Sequence, residues 1–198
     1  MNIICENELG FENSLANCRH RDFDDVRDTE TSVTSRRCTD TSETSRRCYN
    51  HSPEPGRALL NVGAGGIGPM PIISTPLSRP ISIASVSIDT TRLCNPKVLL
   101  TFTSLVVLPV GILVNLNFII VKTVGDGAPQ AVGPTNTFAE VATVLESESF
   151  SFQYCDCNPA YGNTTYTVQL EPTSLISVTA GLTITNAVLS ALAVETIY

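Results

Sequence analysis

From residue 57 onward, apolar and polar residues alternate one by one, and this period of two constrains the fold more than any other feature of the sequence. The clearest run spans residues 112–120, where Ile, Val, Leu, Phe and Ile alternate with Leu, Asn, Asn and Ile. Such runs give a strand one apolar face and one Ser/Thr/Asn/Gln face, as in half-buried antiparallel strands. Many short strands separated by turn signals are typical of sandwiches and jelly rolls. The sequence predicts an all-β, jelly-roll-like antiparallel β-sandwich after a long, mostly irregular N-terminal extension.

Similar alternation marks further strands, and a few segments are ambiguous. In residues 81–88 we expect Ile81, Ile83, Ser85 and Ser87 to form one row and Ser82, Ala84, Val86 and Ile88 the other. Residues 105–121 are apolar enough to suggest a membrane span, but Pro109-Val110-Gly111 interrupts them, so we predict two buried strands. Residues 186–198 are interpreted as the last strand, and a short helix is an option for 137–146. Predicted turns include Gly125-Asp126-Gly127, Gly133-Pro134 and Tyr161-Gly162-Asn163.

Composition divides the chain at Pro53-Glu54-Pro55-Gly56, a turn-forming run. Residues 1–56 contain 18 charged residues and residues 57–198 only 13. The second part is therefore about 9% charged, against about 25% in typical domains. We expect an N-terminal tail over 1–56 and a β-sandwich domain over 57–198. A domain surface with so few charges suits burial against other protein.

The tail contains a short repeat, TSVTSRRCTD at 31–40 and TSETSRRCYN at 41–50. The segment is poor in large apolar residues and cannot bury enough surface to offset its ordering entropy. Cys5, Cys18, Cys38 and Cys48 are spaced along this tail and could couple the chain to neighbouring subunits. Two alternatives are a disordered tail with incidental thiols and a zinc site at Cys18 with His20, although paired CxxC knuckles are lacking.

Charge and motifs weigh against nucleic-acid binding and catalysis. The formal net charge is −7, whereas phosphate binding needs a basic stripe. The run Gly63–Gly68 satisfies GxGxxG, but Pro69 follows it where the dinucleotide fold needs a helix, so we expect a flexible glycine hinge. Both histidines lie in the tail, and we expect no Lys or His to accompany the scattered carboxylates of the domain. We expect no enzyme activity, no cofactor and no metal.

Cys155-Asp156-Cys157 is the most specific local motif. Positions i and i+2 of a strand share one face, so both thiols should point the same way. A disulfide between them would close a strained ring, and we interpret them as thiols that join two different partners. Cys94 precedes a predicted strand. Because seven cysteines are an odd number, at least one thiol of the chain is unpaired or intermolecular. The alternatives are reduced cysteines of a cytosolic protein and a redox CxC.

Two segments, ASVSIDTTRLCNPKVLLTFTS at 84–104 and SFSFQYCDCN at 149–158, resemble the signatures of an uncharacterised clostridial family. The resemblance covers residues 57–198. More distantly, the layout is similar to the endospore appendage (Ena) pilins of bacilli, jelly-roll subunits whose N-terminal connector forms disulfides with preceding subunits. This resemblance implies that connector thiols come from Cys5, Cys18, Cys38 and Cys48 and acceptors on neighbouring domains from Cys94, Cys155 and Cys157. The tail here is longer, and no adjacent Cys-Cys pair occurs.

The resulting prediction is a structural subunit that polymerises with copies of itself into an extracellular or spore-surface filament cross-linked by disulfides. Its expected partners are itself and a spore surface or anchoring protein, with no nucleic acid and no membrane span. The acidic start of the chain lacks a classical signal peptide, so we expect release by mother-cell lysis. Alternatives are a non-filamentous spore coat or exosporium protein and a surface glycan-binding β-sandwich using Tyr161 and Tyr166.

Overall fold

The protein is seen in a computed structural model that describes residues 56–70, 79–171, 175–177 and 181–195. Within these ranges the backbone forms strands and no helix. The strands are β1 (Ala58–Ile67), β2 (Ile81–Asp89), β3 (Lys97–Leu108), β4 (Ile112–Val124), β5 (Gln130–Ala142), β6 (Glu146–Asp156), β7 (Asn163–Leu170), β8 (Leu175–Ser177) and β9 (Thr183–Val194). The prediction of an all-β chain is confirmed.

Two antiparallel sheets face each other as a jelly-roll-like sandwich. Sheet A has the order β1-β9-β3-β6, and sheet B has the order β2-β7-β4-β5 with β8 also paired to β4. Sequence neighbours such as β2 and β3 therefore lie in different sheets, and their side chains meet in one core between the sheets.

The alternation read from the sequence orients most side chains correctly. In β3, Val98, Leu100 and Phe102 are buried, while Leu99 and Thr101 lie on the outer face. In β2 the predicted rows are confirmed from Ala84 to Ile88, but a register shift between Ser82 and Ala84 breaks the alternation before them. Ile83 and Ala84 are both buried as a result, and the inward row continues through Val86 and Ile88. A bulge of this kind adds one residue, which the period of two cannot anticipate.

Phenylalanines from both sheets fill the middle of the core. Phe102 of sheet A lies 6.0 Å from Phe118 of sheet B between ring centroids, and Phe150 lies 4.8 Å from Phe118. Phe138 of β5 meets Phe150 edge to face at 5.6 Å. Residues 137–142 pair with β4 as the end of β5, and a loop and the start of β6 follow, so the short helix considered for 137–146 is wrong. Buried aromatic pairs add about 0.5–1.5 kcal/mol each beyond their area.

The backbones of β1 and β2, which belong to different sheets, lie in close contact. A Cβ placed on Gly63 would lie 1.7 Å from the carbonyl oxygen of Ser85, and one on Gly65 would lie 1.9 Å from that of Ile83. Asn61, on the same face of β1, donates its side-chain N–H to the carbonyl oxygen of Ser87 at 2.7 Å. The glycine-rich run is therefore part of a strand in backbone contact with the other sheet, and the expected flexible hinge is wrong.

The sandwich has two distinguishable ends. At one end, β1 and β3 begin and β6 and β9 finish, and Gly56 leads into β1 there. We call it the proximal end. The distal end carries the β3–β4 turn and the β5–β6 loop. The turn at Pro109-Val110-Gly111 divides the apolar stretch 105–121 into β3 and β4, as predicted, and no helix among the described residues is long and apolar enough to cross a membrane.

The predicted turn at Gly133-Pro134 is also wrong, because both residues lie inside β5. Gly133 has φ +76°, and the β4–β5 register shifts nearby, between Phe118 and Ile120. A Cβ on Gly133 would lie 2.7 Å from the ring of Tyr154 on β6. This glycine therefore lets β5 bend and admits an aromatic ring beside the backbone.

Substitution of Gly63 by Ala tests the close approach of β1 to β2. Because the neighbour is rigid backbone, β1 must move away, and we expect a loss in the free energy of unfolding of about 2 kcal/mol, the range for overpacked cores. Gly68→Ala is the matched control, since nothing lies within 4 Å of its added Cβ. Chemical denaturation measures both variants. Equal stability of the two would contradict the backbone contact.

Candidate functional site at the Cys-Asp-Cys segment

The Cys-Asp-Cys motif lies where β6 ends, at the proximal end of sheet A. Alternation along the strand turns Asp156 inward, where it is 5% exposed, and leaves Cys155 on the outer side. The sulfur atoms of Cys155 and Cys157 lie 3.8 Å apart. The prediction that the two cysteine side chains share one face is therefore confirmed.

Asp156 binds groups from the opposite sheet. Its Oδ2 accepts hydrogen bonds from Lys122 Nζ of β4 at 2.8 Å and from the hydroxyl of Tyr166 of β7 at 2.7 Å. Its Oδ1 accepts the backbone N–H of Asn158 at 3.1 Å. Both charged side chains are largely buried, with 14% and 6% of their surfaces exposed. The carboxylate thus ties sheet A to sheet B and fixes the backbone that carries Cys155 and Cys157.

This cluster is not apparent from the amino-acid sequence. We expected no lysine to accompany the carboxylates of the domain, and Lys122 shows that expectation to be wrong. The two residues are 34 positions apart on different sheets, so only the fold brings them together. A weak signal was available: Lys122 interrupts an apolar row of β4, and an interior charge requires a partner.

Tyr166 is fully buried and donates its hydroxyl to the carboxylate. Burial, followed by the negative charge of Asp156, raises the pKa of Tyr166 far above its usual value. The phenol therefore stays protonated and remains a hydrogen-bond donor. The alternative in which Tyr166 offers a platform to glycans is wrong, because its ring lies in the core; Tyr161 is exposed.

Cys94 is held at the same end of the domain by Glu195, the residue after β9. The backbone N–H of Cys94 donates to Glu195 Oε1 at 2.9 Å. The backbone N–H of Glu195 in turn donates to the carbonyl oxygen of Arg57 at 2.9 Å, and Arg57 N–H lies 3.4 Å from Oε2. Since Val98 lies opposite Asp156, the Cys94 loop, the Cys-Asp-Cys segment and the start of the domain all occupy the proximal end.

A second set of hydrogen bonds shapes the loop before Cys94. The hydroxyl of Thr90, which is buried, donates to the carbonyl oxygen of Ala160 at 3.0 Å. The backbone N–H of Thr90 donates to Gly162. These bonds join the β2–β3 loop to the β6–β7 loop, which follows Cys157. Hydrogen bonds therefore join the two loops that carry Cys94 and Cys157.

The sulfur chemistry of the three cysteines differs. Cys94 and Cys157 are each bonded in a disulfide. Cys155 titrates as a thiol, and burial raises its pKa; the charge of Lys97 partly opposes this effect and that of Asp156 adds to it. A raised pKa lowers the fraction of thiolate at neutral pH, and the thiolate is the form that attacks disulfides. Use of Cys94 or Cys157 between chains would require exchange of the disulfides that occupy them.

The other predicted site residues, Cys5, Cys18, Cys38 and Cys48, lie outside the described residues, as does the zinc alternative at Cys18 and His20. In the part of the chain that the structure describes, no group of three or more His, Cys, Asp and Glu side chains is placed to hold a metal ion.

Comparisons with known proteins identify a family and show little beyond it. Residues 56–194 match the family described as Domain of unknown function (DUF4489). A search of curated proteins finds no match.

Two solved structures are similar in part. One is the structure of infectious bursal disease virus, Gx strain, with a TM-score of 0.41 and 10% identity over 72% of this chain. The chain spans 39% of the length of that viral chain. The other is the CBM35 from Cellvibrio japonicus Abf62, with a TM-score of 0.23 and 15% identity over 72% of this chain and all of the other.

Replacement of Asp156 by Asn tests the inter-sheet cluster. The variant leaves the buried Lys122 charge without a counter-ion, and removing one partner of such a pair costs about 3–5 kcal/mol. We expect a loss near the lower end, since Lys122 retains some exposure. The double variant Asp156→Asn with Lys122→Met should lose less than the sum of the single losses, as measured by a double-mutant cycle.

Asp126→Asn is the control for this cycle, because Asp126 lies in an exposed turn. If Asp156→Asn behaves like Asp126→Asn in chemical denaturation, the cluster does not join the sheets.

Proposed function

The chain belongs to the DUF4489 family, and we propose that it is a structural subunit that assembles with copies of itself and is cross-linked by disulfides at the proximal end of the sandwich. One observation carries the proposal: Cys94, Cys155 and Cys157 occupy the end at which the chain enters the domain. The N-terminal cysteines are thus tethered to the end that holds the domain cysteines. Tethering raises the effective concentration of thiols at neighbouring sites.

The rigidity of the site supports this use of its cysteines. Asp156 anchors the Cys-Asp-Cys segment in the core through Lys122 and Tyr166, while the flanking residues face outward. A cross-link forms there by air oxidation at Cys155, or at Cys157 by exchange, in which an incoming thiolate bonds to one sulfur of the existing disulfide and the other sulfur leaves as a thiol. Such a link transmits force to both sheets. Such an arrangement suits a load-bearing link better than a mobile thiol would.

The surface composition also supports assembly. Residues 57–198 contain 13 charged residues, of which Lys122 and Asp156 are paired in the interior. On β2 and β7 of sheet B, outward-facing positions carry hydroxyl side chains, as in the Ser85–Thr167 and Ser87–Thr165 hydrogen bonds. Weak charge repulsion allows copies to pack closely.

The similarity to the endospore appendage pilins suggests a filament on the spore surface, with connector thiols from the N-terminal segment. The subunit would be released to that surface by lysis of the mother cell. In this proposal the chain is not an enzyme, and its chief partner is a second copy of itself. A coat or exosporium protein would use the same links in a sheet or shell, so the form of the assembly separates the two.

Electron microscopy of the full chain tests the proposal. We expect air-oxidised protein to form ordered fibres whose resistance to boiling in detergent is lost on reduction with dithiothreitol. A variant with all seven cysteines replaced by serine should lose that resistance, whereas loss of one N-terminal cysteine should leave assembly intact. Sheets would support the coat form of the proposal. Dispersed monomers in every sample would overturn self-assembly, and unchanged resistance without cysteines would overturn cross-linking.

A further inference from the structure

An exposed apolar patch covers the distal end of the sandwich. Leu113 of β4 lies opposite Val141 of β5, and both side chains are exposed. The N–H of Gly111 donates to the carbonyl oxygen of Ala142 at 2.9 Å, which places the β3–β4 turn beside the end of β5. The distal patch comprises five side chains that are each 54–71% exposed: Val110, Leu113, Val141, Val144 and Leu145.

A second apolar patch lies on the outer face of sheet A near the proximal end. The register places Leu60 opposite Leu192 and Leu192 opposite Leu99, so one apolar row crosses β1, β9 and β3. Leu60 and Val62 are 63% and 61% exposed. The proximal patch comprises the exposed residues Leu60, Val62 and Val194 and the half-buried residues Leu99 and Leu192. Clustered exposed apolar residues of this kind mark interaction surfaces on soluble domains.

The charges beside the two patches are opposite in sign. Glu140 precedes Val141 and Glu146 follows Leu145, so carboxylates flank the distal patch. Lys97 lies opposite Val194 in the sheet, and Arg57 precedes the first residue of β1, so cations flank the proximal patch. The carboxylate of Glu195, which accepts the N–H of Cys94 at 2.9 Å, also lies at this end, but the two cations outnumber it and the net charge beside the proximal patch is positive.

We propose that the distal patch of one copy docks on the proximal patch of the next copy. The inference rests on the proposed self-assembly and names the surfaces that would carry it. Because the two patches differ and lie toward opposite ends of the domain, the contact between copies is heterologous. A linear assembly of copies therefore has an uncovered distal patch at one end and an uncovered proximal patch at the other, where further copies can add. Apolar contact supplies the attraction between copies, while the Glu residues beside one patch and the Lys and Arg residues beside the other orient the two copies. Docking also places the proximal cysteines of one copy against its neighbour.

Two blocked variants of the full chain test this contact. The distal-blocked variant is Val144→Asp with Leu145→Asp, both in a loop. The proximal-blocked variant is Leu60→Asp with Val62→Asp, both exposed on β1. Val124→Asp is the control, because Val124 is an exposed apolar residue outside both patches. Circular dichroism verifies folding, and light scattering under reducing conditions measures assembly size.

Each blocked variant alone should be monomeric at concentrations where wild type and Val124→Asp assemble, since loss of a buried apolar contact weakens binding about tenfold or more. A mixture of the two blocked variants should form 1:1 dimers and nothing longer, because each supplies the patch that the other lacks. If circular dichroism shows that the β1 pair is unfolded, Lys97→Glu replaces it and should weaken the same contact.

The outcomes separate the two proposals. Folded blocked variants that assemble like wild type would overturn the docking contact and leave self-assembly standing. A mixture that remains monomeric would show that other surfaces, or the N-terminal segment, occupy the patches, and would also overturn it. Wild-type protein that is monomeric in both oxidised and reduced forms would overturn self-assembly, and the docking proposal with it.

Discussion

The packing of the two sheets at the proximal end depends on the carboxylate of Asp156. This carboxylate receives Lys122 Nζ at 2.8 Å and the Tyr166 hydroxyl at 2.7 Å, so one buried group of sheet A binds two strands of sheet B. Buried charges are costly unless they are paired and hydrogen-bonded, and here both conditions are met. The position of the cysteines on either side of Asp156 follows from this bond, because the side chain directed inward at 156 leaves Cys155 outward.

The two open edges of the sandwich, at β1 and β2 and at β5 and β6, are closed by different kinds of contact. On one side, the glycines of β1 bring its backbone against β2, while outward-facing Leu60 and Val62 remain exposed. On the other, aromatic rings such as Tyr154 fill the space between β5 and β6. A strand with glycine on its inner face has little apolar surface to bury there. Its apolar residues lie on the outer face, where a second copy is available to cover them.

Sequence reasoning found the elements whose signal is local and missed those that depend on contacts between sheets. The alternation of Val98, Leu100 and Phe102 correctly predicted an inward row, since side chains on a strand have a period of two. The bulge at Ser82 and the pairing of Lys122 with Asp156 were not predicted, because both depend on the register between distant strands. The glycines of β1 were misread for the same reason: their role is a contact with β2.

Mixed-isotope mass spectrometry tests most directly the claim that the domain cysteines link separate copies. Chains labelled with ¹⁴N and with ¹⁵N are mixed, assembled under oxidising conditions and digested without reduction. The account predicts disulfide-linked peptide pairs that join an N-terminal cysteine of one label to the peptide of Cys94, Cys155 or Cys157 of the other. Pairs that always carry a single label would place every disulfide within one chain and contradict the account.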